Sequence, residues 1–152
     1  PTVREGGMQD LHIVWKRLVN EGETCPRCGS TQHNLASAID RLEAALKPLG
    51  IRPVLQTQAI DDAAFRADPS ESNRLWIAGK PMEEWLGASV GKSPCCSVCG
   101  DLPCRTLEAG GNTFEPTPED LIVKAALIAA SQMIGPSAPD AAPTPCCTTA
   151  CK

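Results

Sequence analysis

Apolar and polar residues alternate through LHIVWKRLV, positions 11–19, with Leu11, Ile13, Trp15, Arg17 and Val19 on one face. A period of two predicts a β-strand. The period lengthens in NLASAIDRLEAALKPLG, where Leu35, Ile39, Leu42, Leu46 and Leu49 recur at steps of four and three. That stripe predicts an amphipathic helix capped by Asn34 and stopped by Pro48 and Gly50. Gly29, Ser30 and Thr31 place its start after Cys28. IRPVLQTQAI reads as a second strand, and Pro53 suits an edge or a strand beginning. DDAAFRADPSES predicts a short helix starting at Asp61–Asp62, then a loop. NRLWIAG is a third strand, turning at Gly79–Lys80–Pro81 into MEEWLGA, a fourth strand or a short helix. SVGKSPCCSVCGDLPC is too rich in Gly, Pro and Cys for regular structure. RTLEAGGNTFEP is a hairpin turning at Gly110–Gly111–Asn112. TPEDLIVKAALIAASQMI is a broad-faced helix, with Thr117 as cap, Pro118 in first position and Asp120 closing a box-like start. The expected core is Ile13, Trp15, Leu35, Ile39, Leu42, Leu46, Leu75, Ile77, Leu121, Leu127 and Ile128.

The order of elements defines an α/β protein, because strand–helix–strand units imply parallel pairing with a crossover. At 152 residues the chain fits one domain with a tail. The expected organisation is an N-terminal extension over 1–10, a domain over 11–134 with a Cys-rich insertion at 91–105, and a flexible Pro/Ala-rich tail over 135–152. A Cys-x-x-Cys after the first strand of such a unit points to a thioredoxin-like mixed sheet flanked by helices, here with the Cys-rich loop inserted before the last helix.

A net charge of -4 and an aromatic content of 3% argue against nucleic acid as a partner. No apolar stretch reaches membrane-spanning length. PTVREGGMQD carries no hydrophobic signal core, so the expected location is the cytoplasm.

Nine cysteines then become the main chemical signal. A reducing compartment makes permanent disulfides rare, and an odd number does not complete a paired framework. The cysteines cluster as Cys25–Cys28, as Cys95, Cys96, Cys99 and Cys104, and as Cys146, Cys147 and Cys151. No phosphate loop, nucleophile elbow or paired-carboxylate arrangement stands beside them. His12 and His33 read as surface or packing residues, Trp15, Trp76 and Trp85 as core, and Glu83 and Glu84 as solvated.

VWKRLVNEGETCPRCGST, ESNRLWIAGKPMEEWLGA and SPCCSVCGDLPCRT resemble an uncharacterised prokaryotic family, domain of unknown function 2703, over about Leu11 to Met133. The family name implies no activity. More loosely, Cys25–Cys28 and LWIAGKP resemble small thioredoxin-like thiol proteins. That resemblance implies a proline just before the third core strand, where this chain has Ser72–Asn73. It also implies that the first and third strands run parallel and the fourth antiparallel to the third. The insertion after the fourth strand then returns to the Cys25–Cys28 edge, so the two clusters should meet in space.

Two chemistries fit such a meeting. In thiol–disulfide exchange, Cys25 is the attacking thiolate, Cys28 resolves the mixed disulfide, and the Cys95–Cys104 cluster relays electrons or holds substrate. The chain is then a candidate thiol–disulfide oxidoreductase whose partners are a small thiol or a disulfide-bearing protein. In the alternative, a non-enzymatic protein binds zinc or a soft ion. CPRCG and CSVCG are shaped like zinc knuckles, and Cys25, Cys28, Cys96 and Cys99 supply four thiolates, with Cys95 and Cys104 as further ligands. Thiolates also suit copper(I), mercury(II), cadmium or trivalent arsenic. No cofactor is otherwise implied. CCTTAC resembles the C-terminal vicinal pair of mercuric reductases and the pairs of arsenic-handling proteins, which implies an ion shuttle in mercury or arsenic resistance.

Overall fold

The computed structural model describes residues 7–94 and 99–135. Cys95, Cys96 and the tail with Cys146, Cys147 and Cys151 lie outside them. Strand β1, Gln9–Leu18, buries Leu11, Ile13 and Trp15 on one face and turns His12 outward. Strand β2, Ile51–Ile60, lies parallel to it in continuous register from Gln9↔Ile51 to Leu18↔Ile60. It is an edge strand, which explains why Pro53 is tolerated there.

The crossover between them is helix α1, Pro26–Leu46, which begins eight residues before the expected Asn34 cap. Its buried stripe is Cys28, Thr31, Leu35, Ala38, Leu42 and Leu46, so the read periodicity continues back to Cys28. Cys25 is the N-cap, in extended conformation, and Pro26 supplies the first helical φ at no hydrogen-bond cost. Gly29 costs about 1 kcal/mol against alanine inside a helix. Burial of the stripe outweighs that cost. Past Leu46 a 3-10 turn, Lys47–Leu49, ends at Gly50 with φ +69, a left-handed stop that glycine meets without strain.

Strand β3, Arg74–Ile77, runs antiparallel to β1, not parallel. The connection decides this. Between β2 and β3 the chain has only helix α2, Asp62–Ala67, and a turn at Pro69–Glu71. A six-residue helix rises about 9 Å, whereas a ten-residue strand spans about 33 Å. The chain cannot return to the start of the sheet, so it enters β3 from the end it has just reached. Ser72 and Asn73 are thereby placed beside the C-terminal end of β1. Asp61 caps α2, its Oδ1 accepting from the Ala64 amide at 2.8 Å. Asp61→Ala is expected to cost about 1 kcal/mol, read as a shift of the urea midpoint at constant slope.

Strand β4 is only Lys80–Pro81, antiparallel to β3, and MEEWLGA continues as helix α3, Met82–Leu86. The first sheet has the order β2-β1-β3-β4. A second, antiparallel sheet follows: β5, Ser89–Ser93; β6, Cys104–Ala109; and β7, Asn112–Phe114. The start of the stretch expected to be irregular is therefore a strand, paired from Ser89↔Glu108 to Ser93↔Cys104. Gly91 is a close-approach residue there, since a Cβ would collide with the side chains of Glu108 and Thr106. The hairpin β6–β7 turns at Gly110–Gly111, as the sequence predicts.

Helix α4, Glu119–Met133, is capped by Pro118 and not by Thr117. The Thr117 amide instead donates to Thr31 Oγ1 at 3.0 Å, and its carbonyl accepts from Asn34 Nδ2 at 2.9 Å. Both partners lie on α1, so the start of α4 is tied to α1. Its buried face is Ile122, Ala125, Ala126, Ala129 and Ala130. Leu121 and Ile128 are half-buried and Leu127 is exposed, against expectation. Small side chains on the inner face suit close approach of α4 to its neighbours. Ile39 is also only half-buried, while Ile13, Trp15, Leu35, Leu42, Leu46, Leu75 and Ile77 form core as expected.

Glu83 is buried, not solvated. Its Oε2 meets Arg105 Nη2 at 2.7 Å and its Oε1 lies 3.6 Å from Arg74 Nη2. Arg74 also pairs with Glu71, which accepts from Lys16 at 2.9 Å. Trp76 lies half-buried beneath Lys16 and Arg74, Trp85 is half-buried beneath Lys80, and Trp15 is fully buried.

Candidate thiol site

A tight turn carries the chain from β1 to α1. Asn20 and Glu23 exchange backbone hydrogen bonds, and Glu21 and Gly22 take positive φ. Thr24 Oγ1 donates to the Leu18 carbonyl at 3.1 Å and pins the turn to the strand. Cys25 follows at the head of a 21-residue helix.

The Cys28 amide donates to Cys25 Sγ at 3.5 Å, and the Arg27 amide also points at that sulfur. The Cys28 thiol donates to it, and Cys99 adds a further sulfur contact. These hydrogen bonds, led by the one from the Cys28 side chain, outweigh burial and lower the Cys25 pKa to about 5. Cys28 moves the opposite way. Its proton is shared with Cys25, it is buried, and a second negative charge there would face the first. The Thr24 and Ser72 side chains oppose that rise without reversing it. The pair thus holds one thiolate, on Cys25, and one thiol, on Cys28.

Ser72 Oγ accepts from the Leu18 amide at 3.2 Å, and Asn73 Oδ1 accepts from Trp15 Nε1 at 3.1 Å. Asn73 sits at φ +57, where asparagine is among the few side chains that rest easily. Ser72, whose side chain also reaches Cys28, borders the thiol pair, while Asn73 holds the adjoining Trp15. Sequence reasoning located the two only as the place of an absent proline.

Part of the second cluster arrives at the same end. Cys99 contacts Cys25, and Cys99 Sγ lies 3.1 Å from Cys104 Sγ. Cys104 is disulfide-bonded. Among the described residues, Cys99 of the second cluster therefore meets Cys25, although the parallel β1–β3 pairing used to argue it is replaced by an antiparallel one. The C-terminal end of β5 brings Ser93 and Pro94 against Arg27, whose Nη2 donates to Ser93 Oγ at 2.9 Å and to the Pro94 carbonyl at 3.1 Å. Beside Cys25 opens a cavity of about 350 Å³ lined by Cys25, Pro26, Arg27, Ser30, Pro94, Glu115 and Pro116.

Among the described residues no group of three or more Cys, His, Asp or Glu is arranged to hold a metal. His12 and His33 are exposed. In CPRCG, Gly29 lies inside α1 and has no positive φ, so it does not make the knuckle turn. Gly100, in CSVCG, does have φ +64. Among the described residues no helix is long and apolar enough to cross a membrane.

Fold and site define a mixed α/β protein with a Cys-x-x-Cys pair heading the crossover helix of its βαβ unit. The chain belongs to the family described as domain of unknown function (DUF2703), whose match spans residues 11–126. A relative from Archaeoglobus fulgidus, described as an uncharacterized protein, is 42% identical over 112 residues, or 74% of this chain and 82% of that protein. No solved structure matches.

Proposed function

We propose that the protein is a thioredoxin-like thiol–disulfide exchange protein of a reducing compartment such as the cytoplasm, acting through Cys25 and Cys28. The observation that carries this reading is Cys25 at the N-cap of α1, its sulfur accepting from the Cys28 amide at 3.5 Å, with Cys28 one turn on. A Cys-x-x-Cys at the head of a βαβ crossover helix is the arrangement that such chemistry uses. The Cys25 thiolate attacks a disulfide RSSR, forming Cys25–S–S–R and releasing RS⁻, which takes a proton from water. Cys28 then loses its proton and attacks Cys25 Sγ, closing the Cys25–Cys28 disulfide and releasing the second thiolate. Two electrons pass from the protein dithiol to the substrate. Cys99, whose side chain contacts Cys25, is the candidate to exchange with it in turn.

The test is metal content and thiol count on protein purified without oxygen. Metal-free protein that gains and loses one Cys25–Cys28 disulfide reversibly is the expected result. Stoichiometric, tightly held zinc with Cys25 and Cys28 protected from alkylation overturns the proposal in favour of a metal-binding protein. Cys28→Ser is expected to accumulate the Cys25 mixed disulfide, visible as an added substrate half by intact mass.

A further inference from the structure

The head of α1 has no amide left for a ligand. Pro26 has no N–H, the Arg27 and Cys28 amides serve Cys25 Sγ, and the Gly29 amide donates to the Cys25 carbonyl at 3.0 Å. The helix terminus is thus committed to the thiolate. The unused donor at this site is on Arg27. Its side chain is only 9% exposed, and Nη1 is buried with no hydrogen-bond partner. The rest of the guanidinium is held by one nitrogen. Nη2 faces Ser93 Oγ, the Pro94 carbonyl and, at 3.2 Å, Glu115 Oε1. Glu115 touches the guanidinium through that one oxygen, and its own side chain is 55% exposed. Arg27, Glu115 and Cys25 all line the same cavity.

We propose that Arg27 is the anchor for a carboxylate carried by the small disulfide that Cys25 reduces, which rests on the exchange reading above. A carboxylate laid across Nη1 and Nη2 makes the paired fork contact that a guanidinium favours and gives Nη1 its partner. Glu115 occupies one half of that place, its Oε1 also accepting from Ser93 Oγ at 3.1 Å, and a carboxylate displaces it by replacing a solvent-facing ion pair and that one hydrogen bond. Anchoring the carboxylate one residue pair from Cys25 holds the substrate sulfur near the thiolate. The chain's net charge of -4 predicts the opposite selectivity, since it favours cations at long range.

The test is single-turnover oxidation of the reduced full-length chain by three disulfides: dianionic dithiodiglycolate, neutral bis(2-hydroxyethyl) disulfide and dicationic cystamine. Each rate is divided by that of the same disulfide with a cysteine in an unstructured peptide, at an ionic strength of about 0.15 M. The dianion is expected to lead the neutral compound by about tenfold, with the dication slowest. Arg27→Met and Arg27→Lys should both collapse that ratio, the lysine because it keeps the charge and loses the fork. Glu115→Gln should raise it. A wild-type ratio near one, or cystamine fastest, overturns the anchor and needs no variant to fold. A ratio that survives both Arg27 substitutions also overturns it. Failure of every disulfide to oxidise Cys25–Cys28 overturns the exchange reading itself.

Discussion

Between pH 5 and pH 7 the reaction of Cys25 with a neutral disulfide is expected to quicken only about twofold, while that of a cysteine in an unstructured peptide quickens about a hundredfold. Exchange requires the thiolate. With a pKa of about 5, Cys25 is half ionised at the lower pH and almost wholly ionised at the higher. An ordinary cysteine, with a pKa near 8.5, gains about tenfold in thiolate for each pH unit over that range. The height of the rate is a poor guide, because a low-pKa sulfur is also a weaker nucleophile. Limited access to a buried sulfur slows the rate at both pH values, so it leaves the ratio intact. The same stabilisation belongs to the reduced folded state. Because the folded pKa is depressed, that stabilisation is complete above the unfolded value, near 9, and is lost as pH falls towards 5. At pH 7 part of that stabilisation remains, which makes the Cys25–Cys28 disulfide more oxidising than a pair with ordinary thiols, by on the order of tens of millivolts. Equilibration in glutathione buffers measures that difference. A hundredfold rise between pH 5 and pH 7 would show that Cys25 is an ordinary thiol.

Local patterns in the sequence located most elements, and two of the errors share one cause, a glycine read as a break. β2 was legible to the residue because its ten positions keep strand composition between Gly50 and Asp61. The end of α1 was legible because Gly50 is the residue a left-handed stop selects. The start of α1 was hidden by Gly29, whose low propensity is overridden by burial of Cys28 and Thr31 against the core. Extending the Leu35 stripe backwards would have found both, with Pro26 marking the first turn. Gly91 misled in the same way, since a glycine admitting a close neighbour looks in sequence like one making a turn.

The direction of β3 was not legible from strand order alone. It follows from the length of the connection, and counting α2 as too short to retrace β2 gives the antiparallel answer. At the site, Cys25 and Cys28 were visible through their spacing. Ser72, Asn73 and Arg27 were not assigned binding geometry, because their roles depend on which strand ends share an edge. The apolar face of α4 was misplaced because alanine carries little pattern signal. Its buried alanines fill the inner face while Leu127 stands outside.

Glu83→Ala is expected to destabilise the fold by about 3–5 kcal/mol, the cost of leaving a buried cation unpaired. Arg105 is 7% exposed, and Glu83 holds it at 2.7 Å, with the Ser70 carbonyl the other acceptor at 3.3 Å. Losing Glu83 also removes a carboxylate 3.6 Å from Arg74. Such a loss is a large share of the roughly 5–15 kcal/mol that a domain of this kind has. Glu83→Leu combined with Arg105→Met should recover most of it, because two apolar side chains leave no charge to desolvate. The pair joins α3, which follows the first sheet, to β6 in the second sheet, and β6 pairs with β5, whose end holds Arg27. The single variant should therefore also speed amide exchange along β6 and perturb the Cys25 pH profile, and the double variant should restore both. A urea midpoint change worth less than 1 kcal/mol for Glu83→Ala would place the pair among exposed ion pairs. The second sheet would then be held by its apolar contacts alone, with Leu107 and Cys104 the buried side chains to test next.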